Sequence, residues 1–181
     1  HPLDLVLRRA VEHRRGHRHA AAQVVAEVLD LVLGEGVEIL ALAARLVVDV
    51  VEEAAGNGAV LEVTLVQTSP MYPASVVSEF SRDALAVAQR MRQFFPHIDN
   101  QTLRFVAEVA QEPGDGLLFS IDLDRARLMS KVGAADFSFQ DLLNQAQAVR
   151  FLDPEGRRYV ASFCADPIAN SATQFCLREV H

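Results

Sequence analysis

Two runs of strict alternation around a single break constrain this chain more than any other stretch. Leu103, Phe105, Ala107 and Val109 alternate with Arg104 and Glu108. Glu112-Pro113-Gly114-Asp115-Gly116 then interrupts the pattern, and Leu117, Phe119, Ile121 and Leu123 resume it. A period of two places every second side chain on the same side of a strand. The pair therefore predicts a hairpin with one buried face, and a sheet with one apolar face needs a second layer to cover it.

The flanking sequence supplies that layer. Val77, Phe80, Ala84, Val87, Met91 and Phe94 recur at helical spacing between Pro73 and Pro96, one face of a helix opened and stopped by proline. Ser138 and Asp141 have the spacing of a capping box ahead of Phe139, Leu142, Leu143 and Ala146, which predicts a short helix. Residues 149–152 and 158–164 read as strands around a tight turn at Asp153-Pro154-Glu155-Gly156, and residues 173–180 as a last strand. Residues 71–181 are thus expected to form a compact α+β domain, an antiparallel sheet packed by helices in the order α-β-β-α-β-β-β. In topology alone that order resembles sensor folds of the PAS kind, which would imply a ligand pocket; no cofactor residue carries over and no cofactor is implied.

Composition changes near residue 70. All ten Phe, both Tyr, all three Met, both Cys and the single Lys131 lie beyond it, whereas positions 1–70 are dominated by Val, Leu, Ala, Glu and Arg with Ser69 as their one serine. Three readings fit the first part: a helical interaction segment, an extended arm on the following domain, or translated sequence upstream of a start at Met71. Within it, residues 8–33 and 37–55 carry narrow polar stripes at helical spacing, with Gly34-Glu35-Gly36 and Gly56-Asn57-Gly58 as breaks. Two helices with such thin stripes need covering, so self-association into a homo-oligomer is expected there. Leu61, Val63 and Leu65 alternate with Glu62 and Thr64, a short strand suited to a sheet edge.

A net charge of −7, from 17 basic and 24 acidic residues, speaks against a protein whose task is to neutralise a phosphate backbone. The arginine-rich stretch from Arg8 to His19 has no interleaved aromatic residue to stack on bases. No apolar run approaches the ~20 residues that span a bilayer, and no signal peptide is evident. Two cysteines, Cys164 and Cys176, are too few for a disulfide scaffold and read as buried thiols or as a redox pair on neighbouring strands. A cytoplasmic protein without membrane contact is expected.

No phosphate-binding glycine loop, H-E-x-x-H helix, G-x-S-x-G elbow or paired C-x-x-C site is present. The remaining candidates for chemistry are scattered. Asp122 and Asp124, about 7 Å apart on one face of a strand, have the spacing to share a divalent cation. His97, two residues before Asp99, has the arrangement of a base oriented by a carboxylate. His13 and His17 stand one helical turn apart and would make half of a metal site. The expected function is a non-enzymatic binding or regulatory domain that recognises a small ligand or a protein partner. The alternative is a small metal-assisted or hydrolytic enzyme built on Asp122, Asp124 and His97.

Overall fold

A computed structural model describes residues 46–52, 59–67, 72–94, 102–111 and 114–179. Among these residues five strands form one sheet in the order of the sequence: β1 (Leu46–Glu52), β2 (Ala59–Gln67), β3 (Thr102–Gln111), β4 (Gly114–Asp124) and β5 (Ala146–Phe151). All neighbours are antiparallel except β2 and β3, which are parallel. Parallel neighbours need a long crossover, and helix α1 (Pro73–Phe94) supplies it. Beyond β4 come α2 (Arg125–Lys131), α3 (Phe139–Asn144), α4 (Pro154–Ala165), a 3-10 turn at Pro167–Ala169 and α5 (Thr173–Glu179). The class is mixed α+β, a sheet packed by helices, and among the described residues no helix is long and apolar enough to cross a membrane.

The apolar phase expected for the hairpin is the one buried. Leu103, Phe105, Ala107 and Val109 of β3 and Phe119, Ile121 and Leu123 of β4 join Leu61, Val63 and Leu65 of β2 in a single core with the helices. Val77, Phe80, Ala84, Val87 and Met91 of α1 enter the same core. Phe80 meets Phe119 edge to face, ring centres 5.0 Å apart, the geometry favoured by aromatic quadrupoles. The buried face of α1 is wider than the stripe because Ser78 and Ser81 also lie inside it. Their hydroxyls donate to the carbonyls of Ser75 and Val77, so neither is left unsatisfied by its burial. At Ser138 the anticipated capping box forms: the Ser138 hydroxyl accepts from the Asp141 N–H, and the Asp141 carboxylate accepts from the Ser138 N–H at 2.9 Å.

Three expectations are corrected. Residues 158–164 and 173–179 do not form strands: the first lie within α4 and the second are α5, so the order of the described residues beyond 71 is α-β-β-α-α-β-α-α, and the likeness to PAS topology does not hold. Asp153-Pro154-Glu155-Gly156 is not a hairpin turn but the start of α4, with Asp153 accepting from the Glu155 N–H at 2.8 Å and proline in the first turn. Proline suits that position as well as it suits a turn, since it lacks an N–H that would go unused there. Residues 46–52, expected within a helix over 37–55, are strand β1, paired residue for residue with β2. The 61–65 strand forms and joins the sheet beside β3 as part of β2, with β1 on its other side. The compositional change near residue 70 therefore falls between two strands of one sheet. The expected helix over 8–33 lies outside the described residues.

One further departure sits inside the hairpin. Ala107 pairs with Phe119 and Glu108 with Leu117, so Leu118 is an extra residue on β4. Such a bulge turns the side chains beyond it onto the opposite face. Leu118 is buried and Leu117 is 49% exposed, the reverse of the simple alternation. The displaced Leu118 carbonyl accepts from the N–H groups of Leu152 and Asp153 at 3.0 and 3.3 Å, which ties the end of β5 and the start of α4 to the bulge.

Candidate functional site

The polar phase of the central strands carries a linked set of ion pairs. Glu62, Arg104 and Asp122 occupy alternate positions whose neighbours in sequence are core residues, so they face away from the helix-packed core. Strand register then lines them up: Glu62 is opposite Arg104, and Arg104 is opposite Asp122. Arg104 Nε and Nη2 donate to the two carboxylate oxygens of Asp122 at 2.6 and 3.0 Å. This is the forked geometry in which guanidinium and carboxylate match best. Glu62 lies 3.6 Å from Arg104 Nη1 on the other side. Arg150 of β5, diagonal to Asp122 across the ladder, places Nη2 2.9 Å from Asp122 Oδ2.

The network is graded in burial. The side chains of Arg104 and Asp122 are 8% and 9% exposed, whereas Glu62 is 28% and Arg150 46% exposed. An inner pair withdrawn from water is thus flanked by an outer acid on β2 and an outer base on β5. Desolvating an ion pair is costly unless its hydrogen bonds are well formed, and the two-point contact with Arg104 meets that condition.

Asp124 has a different task. It is the N-cap of α2, and its Oδ1 accepts from the Arg127 N–H at 2.8 Å. The two carboxylates that the sequence pairs are therefore each engaged separately, Asp122 by two guanidinium groups and Asp124 by a helix terminus. Among the described residues no group of three or more His, Cys, Asp or Glu side chains is placed to hold a metal ion. His13, His17 and His97 lie outside the described residues.

Cys164 and Cys176 are neither thiols nor strand neighbours. They form a disulfide between α4 and α5 with Cα atoms 5.5 Å apart. The expectation of two buried thiols fails because both segments are helical and the 3-10 turn folds the second back onto the first.

Sequence reasoning missed the β5 border of the sheet. Among the described residues β5 is last in the strand order, and beside it Leu117 and Leu152 are each 49% exposed. They are brought close because the Leu152 N–H donates to the carbonyl of Leu118. The signal that could have located them is the bulge, but Leu117-Leu118 reads equally well in either phase. No protein-family model matches the chain, and no curated protein or solved structure is significantly similar to it.

Proposed function

We propose that the chain is a non-enzymatic binding domain, an accessory or regulatory module that takes an extended segment of a protein partner along its β5 border. The observation that carries this reading is that β5 ends the sheet among the described residues, next to two half-exposed leucines, Leu117 and Leu152. A terminal strand offers backbone groups to an incoming strand, and neighbouring apolar side chains supply the selectivity that main-chain bonding lacks. Arg150, 46% exposed in its side chain and paired with Asp122, contributes a cation at the same border. The preferred partner segment is therefore apolar with an acidic residue in register with Arg150. The engagement of Asp122 by Arg104 and Arg150 supports a recognition surface over a metal-assisted reaction, since each of its carboxylate oxygens already accepts from a guanidinium.

A photo-reactive residue placed at Leu152 in the full chain, with the exposed Gln89 of α1 as the control position, tests the reading in cells. The expected result is one heterologous adduct of discrete mass from Leu152, absent from Gln89 and lost when Leu117→Asp is added. No adduct from Leu152, an adduct with a second copy of the chain, or equal adducts from both positions would overturn it. So would calorimetric binding of Mg²⁺, Mn²⁺ or Zn²⁺ that Asp122→Asn removes.

A further inference from the structure

The C-terminal helix is held in two independent ways, and only one of them is covalent. Helix α5 has 7 residues, too few to persist without tertiary support. Its non-covalent anchors run to α3, β5 and α4. Phe175 is fully buried and meets Phe163 of α4 edge to face, ring centres 6.3 Å apart. Asn144 of α3 accepts from the Phe175 N–H at 3.1 Å and donates to the Ser171 carbonyl at 2.8 Å, and Arg178 donates to the Ala146 carbonyl at the start of β5. The covalent anchor is the bond between Cys164 and Cys176, which closes a span of only 12 residues. None of the five strands lies within that span.

We propose that the Cys164–Cys176 bond is a redox-controlled clasp: when a dithiol reduces it, α5 opens locally while the sheet and the helices packed on it stay folded. In the step, a thiolate of the dithiol attacks one sulfur of the protein disulfide and forms a mixed disulfide, releasing the other sulfur as a thiolate that takes up a proton. The second thiol of the reagent then displaces the remaining cysteine. The protein disulfide gains two electrons and two protons, and the dithiol becomes a disulfide. Both cysteines are only partly buried, which gives a small dithiol access. Loss of a cross-link over so short a span raises the open population by about a hundredfold on the chain-entropy scale. Opening withdraws Phe175 from Phe163 and Arg178 from Ala146, so the released state exposes an aromatic ring and the first carbonyl of β5.

Alkylation of the full chain followed by intact-mass measurement, then hydrogen exchange with and without dithiothreitol, tests this. The oxidised protein is expected to take up no alkyl group. On reduction it should take up two, and the amides of residues 175–179 should exchange about a hundredfold faster while those of β3 and β4 keep their rates. The Cys164→Ser/Cys176→Ser double variant should show the fast exchange without reductant and no further change with it. Two alkyl groups before reduction, unchanged exchange at 175–179, or a parallel loss of protection through the sheet would each overturn the proposal. If the double variant does not fold, the natural chain, oxidised and then reduced, still separates the expected result from each of these three.

Discussion

Asp122 and Arg150 carry opposite charges 2.9 Å apart, yet their replacement is expected to have unequal effects because their burial differs. Asp122→Ala removes the two-point acceptor of a guanidinium that is only 8% exposed, and truncating one partner of a buried pair costs roughly 3 kcal/mol or more. Arg150→Ala removes a half-exposed cation and should cost under about 1 kcal/mol. Urea unfolding of the two variants checks the contrast, and equal losses would mean that the inner pair is not the stabilising one. Gly156 makes a second residue-scale case. A Cβ there would lie 2.0 Å from the Leu118 carbonyl oxygen, a backbone atom that cannot swing aside. Gly156→Ala should therefore destabilise by about 1–3 kcal/mol, the usual cost of overpacking, although alanine is the better helix former. Gly133→Ala serves as its control, since the added methyl meets only the Arg92 guanidinium, the far end of a long side chain.

At the scale of elements, α5 combines its clasp with a titrating end. Glu179, its last residue, has its carboxyl pushed above the usual glutamate range by burial, partly offset by the nearby Arg178 and Arg157. A raised value in the folded state means that the fold binds more protons than the unfolded chain in the window just above the ordinary glutamate pKa. Stability then falls as pH rises through the folded value and is greater below it. Protection of the α5 amides, corrected for intrinsic exchange, is expected to decline as pH rises through that window in the natural chain and to stay level in Glu179→Gln. A decline of equal size in the variant would assign the effect to another group. The α1 crossover shows a different element-scale constraint. Its presence between β2 and β3 is what a parallel pair demands, so the helix and the strand order are one decision.

For the whole molecule, the question is whether the aromatic-rich part stands alone. β2 lies before residue 70, yet Leu61, Val63 and Leu65 are at most 3% exposed in the same core as Phe105, Phe119 and Phe163. A fragment of residues 71–181 would lose that strand and leave the inner border of β3 unpaired. It should aggregate or lose cooperative unfolding at the temperature where the full chain melts, as circular dichroism and light scattering at two concentrations would show. Cooperative unfolding at the same temperature would instead place the first 70 residues outside the folding unit.

The hairpin of β3 and β4, the buried face of α1 and the box at Ser138 were legible in the sequence because each depends on residues a few positions apart, where spacing alone fixes which side chains share a face. The chemistry around residue 154 was legible too, but its meaning was not, since aspartate followed by proline opens a helix as readily as a turn. Residues 158–164 and 173–179 are short and apolar enough to satisfy either period, and packing against α1, β4 and one another made them helices. The site was the least legible part. Asp122 stood out through its spacing to Asp124, but its ion-pair partners Arg104 and Arg150 lie 18 and 28 positions away in sequence, and only strand register brings them together. The local pattern thus determined the central hairpin, its apolar face and the helix that covers it, because those follow from backbone periodicity. The tertiary structure decided the parallel pairing of β2, the bulge at Leu118, the ion-pair network and the Cys164–Cys176 bond, because each needs distant segments to arrive at a common place.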